Sequence, residues 1–592
     1  MAKKHHRPSK NFVPAAESVN TSHPFKYILT VAFLILSTVV VYYPSLKVPF
    51  LLDDYGKIIV NPDIKSVSHL PSRLIYPYGR PLNFHRNDPS RPLTYLTLTL
   101  NYAFSQLNPY GYHVINIAIH MAVVFLVYLL GLLLFRRRGI MDFAPPFFAA
   151  LLFAVLPINV NVVSYVMGRA ASLATIFYAA AVILFILWRQ NVKWSIALSV
   201  LMFVPALAAN QLAVTLPAII WLTDFCFFRE ATNKKVHIVY WGILGFYLAL
   251  RVAYFGRMGD LEAIVPVFHT REYILTEWVV LWKYAGMVFV PKGLSFEHLY
   301  GPITRFSDPH LEIATGLYAV LCIGFLRGLK KSWAITSFIL FGVVWFLITL
   351  SPTSSVLATT ATMAENRVYL PAIGLCVIAP FIMYWLLDQL KLEQFRTPLF
   401  LTIFGIYITL LGHVTFQRNM LYQNPMEIWK DVIQRYPDHA RAHQNLAVLY
   451  LNQKQYNQAI EECKNALATA PGNLDVRNNL AAAYYDLGRY KDSLETYKEI
   501  INENPNYAAA YNNIGLVDEQ LGNVDEAMGA YQKAVALNPI LLEPYNNLGN
   551  IYLQKGRIHN AIDMYQSALK IDPHNTILLS NYQKALNMNQ KP

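Results

Sequence analysis

Charged residues and cysteines are both scarce in this sequence. Only 14% of its 592 residues are charged and 55% are hydrophobic, whereas about a quarter of an ordinary soluble chain is charged. The four cysteines, Cys226, Cys322, Cys376 and Cys463, are scattered, without the spacing of a disulfide framework or a metal site. The sequence also lacks a nucleotide-binding glycine loop, which argues against a nucleotide substrate. This composition excludes an ordinary soluble protein and indicates a membrane protein.

The net charge of +13 does not indicate a nucleic-acid partner. The basic residues stand in short clusters between apolar runs, as in loops held on the cytoplasmic side of a membrane. The first 26 residues already carry Lys3, Lys4, Arg7 and Lys10. The apolar run that follows is too long for the core of a signal peptide, so we expect a cytoplasmic N-terminus and an uncleaved first span.

Apolar runs long enough to cross about 30 Å of hydrocarbon indicate a polytopic, all-α membrane domain over residues 27–416. Three of them are short or interrupted. The eleven predicted spans are 27–46, 113–135, 144–160, 169–188, 194–209, 211–228, 236–255, 310–326, 334–351, 368–390 and 397–416.

The parity of these spans predicts an orientation. Every basic cluster lies inside if residues 276–290 do not cross, and that segment is short, carries Glu277 and Lys283, and suits an interfacial or re-entrant helix. The loop 47–112, the segment 352–367 and everything after residue 417 then share the outer compartment.

A 34-residue period dominates the C-terminal part, where prolines recur at 437, 471, 505, 539 and 573. This period, with proline at the turn, is typical of tetratricopeptide repeats, whose helix pairs stack into an α-solenoid. We predict a linker and leading helix over 417–437. A repeat domain of four full repeats and a capping helix is expected over 438–592.

One row of asparagines recurs on the first helix of each repeat. It consists of Asn445, Asn479, Asn513 and Asn547, and a second row precedes it. An amide both donates and accepts hydrogen bonds, so a ladder of amides can hold an extended peptide by its backbone. Alternatively, the asparagines are consensus residues that bond the neighbouring helix. No basic clamp accompanies them.

An acidic pair closes the first apolar run, in the stretch "VPFLLDDYGKIIVNP". Asp53 and Asp54 either cap the segment that follows, or they serve catalysis at the outer membrane surface, where a carboxylate is the usual general base.

Several motifs, in the same order over nearly the whole chain, resemble one family. "FLLDDYGKIIVNP", "SRPLTYLTLTLNYAFSQLNPYGYHVINIAIH", "YAGMVFVPKGLS" and "WFLITLSPTSS…MAENRVYLPAIG" are similar to the transmembrane and tetratricopeptide-repeat O-mannosyltransferases. Those enzymes belong to the C-type glycosyltransferase superfamily. The compact loops and short repeat arm favour a prokaryotic relative in the cell membrane, with an extracytoplasmic repeat domain.

The resemblance implies an inverting transfer of a sugar from a polyprenyl phosphate to Ser or Thr of an exported protein. Asp54 is then the expected base, with Asp53 orienting the acceptor or the loop, and arginine suits the leaving phosphate. A divalent metal is possible but not required. Arginines near span ends also snorkel to lipid head groups. The phosphate candidates are Arg91, Arg169 and Arg367, and the cleft candidates are His113, Glu365 and Tyr369.

This chain departs from the family pattern where relatives carry ionisable groups. The neutral residues at those places are Leu156, Asn159, Asn161, Ala171, Asn210 and Gln211. An amide cannot act as a base, so a second hypothesis is a catalytically degenerate protein that serves as an envelope assembly scaffold. A third is a ligase that transfers a lipid-linked glycan polymer to protein.

Overall fold

A computed structural model describes residues 24–65, 88–228, 234–255, 269–354, 362–390 and 393–589. Within these ranges the chain is helical and contains no strand, so the predicted all-α class is confirmed. The chain divides into two units. Residues 295–299 and 424 onward form the second unit, and the rest forms the first. The predicted basic tail over 1–26 lies almost wholly outside the described residues.

Fourteen α-helices of the first unit lie in the described ranges, joined in places by short 3₁₀ or π turns. In chain order they are α1 Pro24–Tyr42, α2 Pro92–Ser105, α3 Pro109–Arg137, α4 Ala144–Val155, α5 Val160–Val163, α6 Arg169–Arg189, α7 Ser195–Ala209, α8 Leu216–Phe227, α9 Lys234–Phe255, α10 Thr270–Phe289, α11 Pro309–Lys331, α12 Trp333–Leu350, α13 Tyr369–Gln389 and α14 Glu393–Tyr422.

Among the described helices, eight are long and apolar enough to cross a membrane. A ninth span results if α4 and the helical turns over 157–163, which meet at a bend of 46°, count as one. The two remaining predicted spans, 194–209 and 211–228, form shorter apolar helices. Helix α10, predicted not to cross, is absent from the spanning set of the described helices.

Arginines from two predicted inner loops meet at one end of the bundle. Arg137 Nε donates to the carbonyl of Phe227 at 3.2 Å, and Arg138 donates to that of Cys226 at 2.8 Å. Arg189 caps the same helix end. Since the last carbonyls of a helix lack partners within the helix, these arginines complete α8. Which compartment this end faces stays a prediction.

Close helix packing in the core depends on a pair of glycines. A Cβ on Gly374 of α13 would lie 2.5 Å from the carbonyl oxygen of Gly342 on α12. Small residues at such crossings let membrane helices approach backbone to backbone.

The bend between α4 and α5 is stabilised by side chains that replace lost helical hydrogen bonds. Pro157 cannot continue the ladder, and unsatisfied carbonyls in a membrane cost several kcal/mol each. Four carbonyls near the bend, at residues 153, 154, 155 and 157, accept from side chains. Their partners are Asn159 at 2.9 Å, His120 at 3.3 Å, Thr415 at 2.5 Å and Arg418 at 2.9 Å.

The second unit contains a leading helix, four helix pairs and a final single helix. These are α15 Pro425–Arg435, α16 Ala440–Asn452, α17 Tyr456–Thr469, α18 Leu474–Asp486, α19 Tyr490–Glu503, α20 Ala508–Leu521, α21 Val524–Leu537, α22 Leu542–Gln554, α23 Ile558–Ile571 and α24 Thr576–Asn589. Each second helix of a pair ends two residues before an in-phase proline, as predicted.

The turn inside each pair needs a left-handed residue. Gly488, Gly522 and Gly556 occupy it with φ between 72° and 83°, and Lys454 occupies it in the first repeat with φ 60°. Only glycine adopts this conformation without steric cost. The first repeat is therefore the strained one.

A short segment far away in sequence belongs to the repeat unit. Residues 295–299 follow α10, yet they pack against the first repeat helices. Phe296 meets Trp429 edge-on at 5.6 Å, and Glu297 pairs with Arg441 at 2.6 Å. The sequence did not predict this insertion, because nothing in its composition marks it.

Candidate functional site

The acidic pair after α1 is split between buried and exposed positions. Asp54 is fully buried, and its oxygens accept the backbone N–H groups of Leu51 at 3.0 Å and Met167 at 3.1 Å. Asp53 is exposed. Leu52, just before them, has φ 40°, a strained conformation of the kind that concentrates at functional sites.

Burial decides the protonation of Asp54. It raises the pKa of this carboxyl to about 8, while backbone N–H groups of Leu51, Met167 and Val166 lower the pKa by less. Asp54 therefore holds its proton at neutral pH. This geometry makes Asp54 the residue that fixes the loop and leaves the exposed Asp53 in contact with solvent.

Arg169 lies in a buried hydrogen-bond network next to this loop. Its Nε donates to Asn116 and its Nη2 to Asn101, both at 2.7 Å, and further bonds reach the carbonyls of Tyr112 and Thr97. Since the side chain is fully buried and these groups take up its donors, Arg169 holds helices together in this structure rather than presenting itself to a phosphate.

Asn116 extends that network to the irregular backbone between α5 and α6. Its amide nitrogen lies 3.3–3.4 Å from the carbonyls of Val163, Tyr165 and Val166. The neighbouring His113 is also buried, and its Nε2 lies 2.9 Å from the carbonyl of Val48. Asp54, His113 and Arg169 are thus brought together, and Asn116, which sequence reasoning missed, joins them.

Arg91 lies at the start of α2 and is partly exposed. Its Nε is 3.4 Å from Asp88, whose other oxygen accepts from Ser90. Of the three predicted phosphate ligands, it has the most exposed side chain.

Glu365 and Tyr369 lie at the start of α13, beside the bend at Pro157. Glu365 is buried and pairs with Arg418 of α14 at 2.8 Å. The Tyr369 hydroxyl donates to Nδ1 of His120 at 2.6 Å, since Nε2 of that ring faces the carbonyl of Ala154. Both predicted cleft residues therefore support the bend. Arg418 was missed because it lies outside the quoted motifs, and His120 because it is the last residue of one and its partners lie on other helices.

Arg367 lies in a second group of polar residues, built around α10. Its Nη1 is 3.8 Å from Glu277 and 3.5 Å from the carbonyl of Thr353. Tyr284 of α10 holds the same turn, because its hydroxyl donates to the carbonyl of Ala364 at 3.1 Å and accepts the Ala364 N–H at 2.7 Å. Part of the predicted outer segment, residues 355–361, lies outside the described residues.

Three of the six neutral residues at which the sequence departs from the expected family pattern form hydrogen bonds within the fold. Asn159 bonds the carbonyl of Phe153, Asn210 caps the turn that follows by accepting from the N–H of Leu212, and Gln211 accepts from Arg251 at 3.3 Å. Asn161, Leu156 and Ala171 are buried. These positions stabilise the fold here.

The two amide rows of the repeats bond each other. Asn513, Asn547 and Asn581 each donate to an asparagine 35 residues earlier, at 3.1, 3.2 and 2.8 Å. Asn445 instead donates to the carbonyl of Arg441 within its own helix. These bonds correspond to the alternative in which the asparagines bond the neighbouring helix. Among the described residues, no bond of this kind is found for Asn479. Amide capacity remains for a peptide, and that role stays a prediction.

A metal site was predicted as possible but not required. Within the described ranges, no three His, Cys, Asp or Glu side chains are grouped so that they could hold a metal ion.

Comparisons with known proteins confirm the predicted resemblance. Tetratricopeptide-repeat family models match residues 428–461, 453–514, 519–556 and 543–575. A protein O-mannosyl-transferase of Caenorhabditis elegans is 26% identical and covers 75% of this chain. Tmtc1, a protein O-mannosyl-transferase of Drosophila melanogaster, is 22% identical over 71% of the chain. Mouse TMTC3 is 39% identical over 25% of it.

The chain spans only part of these relatives, namely 63%, 59% and 16% of their lengths. Solved structures match the repeats. MamA is 24% identical, covers 25% of this chain and 86% of its own, and has a TM-score of 0.23. A thermophilic TPR protein of Thermus thermophilus is 26% identical, with shares of 30% and 95% and a TM-score of 0.26.

Proposed function

We propose that this integral membrane protein is an inverting glycosyltransferase. It moves a sugar from a polyprenyl phosphate to Ser or Thr of an exported protein that the repeat unit holds. The observation that carries the proposal is the exposed Asp53 beside a fully buried Asp54, in a chain similar to named protein O-mannosyl-transferases.

Asp53 is the general base in this proposal, which reverses the roles expected from the sequence. A base must be ionised and must reach the acceptor hydroxyl. Asp54 holds its proton at neutral pH and is enclosed, whereas Asp53 faces solvent. The hydroxyl proton passes to Asp53 as the oxygen attacks the anomeric carbon, and the sugar–phosphate bond breaks.

Arg91 and Arg367 neutralise the departing phosphate. A planar guanidinium binds phosphate oxygens in pairs, and cations near the leaving group stabilise the developing charge. Arg169 positions the surrounding helices, because Asn116, Asn101 and backbone carbonyls engage its donors.

The acceptor is an extended segment of a protein laid along the repeats. The asparagine rows use one donor each between repeats, and an amide has a second donor and acceptor capacity left. Backbone capture of this kind makes little demand on the acceptor's side chains. The repeats share the outer compartment with Asp53 in the predicted prokaryotic topology.

The test is Asp53→Asn in the native host, with intact-mass analysis of exported proteins. We expect one or more proteins to become lighter by a sugar mass while the variant remains inserted. Asp63→Asn, in the same loop, is the matched control. Unchanged masses in the Asp53 variant would sink the transferase proposal.

The second candidate is a non-enzymatic assembly scaffold. It is favoured by the structural roles of Asn159, Asn210 and Gln211 at places where relatives are ionisable. A scaffold predicts unchanged masses together with loss of an envelope complex when residues 424–592 are deleted.

A further inference from the structure

Glu277 of α10 is a buried carboxylate that Arg367, Ser354 and Tyr273 adjoin without a hydrogen bond of ordinary geometry. The residue is 2% exposed, and neither oxygen has a hydrogen-bond partner of ordinary length among the described residues. The nearest cation, Nη1 of Arg367, lies 3.8 Å away. Buried charged groups in proteins are almost always hydrogen-bonded, so this one points to a ligand that supplies donors.

Ser354 is a second buried polar side chain at the same place, and it adjoins Glu277. Its hydroxyl is buried and forms no hydrogen bond of ordinary length in the described structure. It lies close enough to Glu277 to lower the pKa of that carboxyl. A carboxylate and a hydroxyl with spare hydrogen-bonding capacity therefore lie together in one small region beside Arg367.

The walls of this region are fixed. The Tyr273 hydroxyl donates to the carbonyl of Thr353 at 2.5 Å, and Tyr284 is bonded twice to the backbone of Ala364. These two tyrosines tie α10 to the 351–354 turn and to the start of the segment that carries Arg367. The unmet groups thus sit on a rigid frame, as a binding site requires.

The chemistry of the unmet groups selects hydroxyl donors. A carboxylate accepts from two adjacent hydroxyls at once, a serine hydroxyl both donates and accepts, and an arginine donates to oxygens. A pyranose ring offers adjacent hydroxyls and ring oxygens within one small ligand. A phosphate has no donors for a carboxylate when it is fully ionised.

We propose that Glu277 and Ser354 form a subsite for the sugar hydroxyls of the lipid-linked substrate, beside the phosphate contact of Arg367. This inference rests on the proposed function and deepens it. Glu277 recognises the sugar, while Arg367 recognises the phosphate that every such lipid carries.

The subsite depends on pH. Burial raises the pKa of Glu277 to about 7, while Arg367, Ser354 and Tyr273 lower it by less. Arg367, Tyr273, Tyr284 and Ser354 are the charged and polar groups that face it from the packed elements. Above pH 7 the carboxylate accepts from two hydroxyls. Below pH 7 it carries a proton and accepts less well.

The experiment compares two probes on the full chain in detergent, polyprenyl phosphate and the same lipid bearing mannose or glucose. We expect at least one sugar lipid to bind about 10-fold or more tightly than the sugarless lipid at pH 8, and less so at pH 6. Glu277→Gln should remove this preference and leave affinity for the sugarless lipid within about 2-fold. Glu272→Gln, on the same helix, should keep the preference.

Other outcomes overturn the inference in distinguishable ways. If Glu277→Gln weakens both probes equally, Glu277 only holds Arg367. If the wild type shows no preference at either pH, Glu277 and Ser354 do not recognise the sugar and the subsite is refuted. If neither lipid binds at all, the proposed function fails together with the subsite. Should Glu277→Gln not fold, Ser354→Ala decides instead, together with the wild-type affinity for the sugar lipid alone at pH 8 and pH 6, because only the sugarless phosphate monoester titrates in that range.

Discussion

The membrane unit and the repeat unit differ in how asparagine side chains connect neighbouring helices. Both use asparagine side chains to bond neighbouring elements, but Asn116 in the membrane unit makes a set of contacts that occurs once. In the repeat unit, one Asn–Asn bond recurs three times at a separation of 35 residues. Without water, every backbone group near a helix break needs a particular partner, whereas a solenoid sums equal neighbour terms.

Charge follows the same division. The repeat unit from residue 424 onward has 15 basic and 18 acidic residues, while residues 1–423 have 34 and 18. The basic excess of the chain therefore belongs entirely to the membrane part. The repeat unit therefore has no overall basic excess.

Among the variants that test this difference between the two units, Arg169→Met is expected to cause the largest loss of unfolding free energy. The variant leaves the oxygens of Asn116 and Asn101 buried without their cation, at a cost of about 3–5 kcal/mol. Arg477→Met, at the partly exposed pair with Glu503, should cost about 1 kcal/mol or less. Thermal unfolding of the full chain in detergent measures both, and equal losses would break the comparison.

Asp54→Asn tests the buried carboxyl of the membrane unit. Its pKa rises from about 3.9 in an unfolded chain to about 8 in the fold, so wild-type stability falls as pH rises from about 4 to about 8. Asparagine does not titrate. We expect the variant to lose about 1–3 kcal/mol of unfolding free energy at every pH, because its amide NH₂ faces one of the two backbone N–H groups. As pH rises, this loss is increasingly offset, because the variant lacks the pH-dependent destabilisation of the wild type. Unfolding midpoints of both proteins at pH 5 and pH 8 give the stability difference between wild type and variant. A difference that is the same at both pH values would contradict the buried, protonated carboxyl.

Gly515→Ala tests packing inside one repeat. The new Cβ would lie 2.6 Å from the Tyr531 ring, which we expect to cost about 1–3 kcal/mol through overpacking. Gly529→Ala meets no atom within 4 Å and should stabilise its helix by up to about 1 kcal/mol. We expect the unfolding temperature to fall for Gly515→Ala and to rise for Gly529→Ala.

Asn547→Ala removes one rung of the repeated amide bond. Because Asn513 and Asn581 keep theirs, we expect a loss of only about 1 kcal/mol, well below that of Arg169→Met. Chemical unfolding of the repeat unit within the full chain measures it. A loss of 3 kcal/mol or more would show that the rungs are not equivalent and independent.

The smallest effect is expected from Lys454→Gly in the first repeat. Lys454 has φ 60° where the later repeats have glycine, so the substitution should gain about 0.5–1 kcal/mol by relieving the left-handed strain. Gly488→Lys is the reciprocal variant and should lose a similar amount. A gain in both would contradict the explanation.

The sequence predicted what depends on regular periods. The 34-residue repeat gave the helix pairs, and apolar length gave most of the spans. It could not separate Asp53 from Asp54, because their opposite exposures depend on the strained turn at Leu52 and on Met167, far along the chain. Nor could it find Arg418 or Glu277, whose partners come from other helices.

The departures at Asn159 and Asn210 show the same limit. Compared with the expected family pattern, these amides suggested that ionisable catalytic groups had been lost. In the fold, each satisfies a backbone group that a helix break or a turn exposes. A neutral residue at a family site is therefore evidence about function only after its backbone contacts are known.

The segment 295–299 has a consequence for modularity. The repeat unit includes it alongside residues 424 onward, and Phe296 and Glu297 fill contacts on the first helices. A fragment that begins at residue 424 would lack the contacts made by Phe296 and Glu297. A transplanted repeat unit therefore keeps all of its packing only if residues 295–299 are transferred together with residues 424 onward.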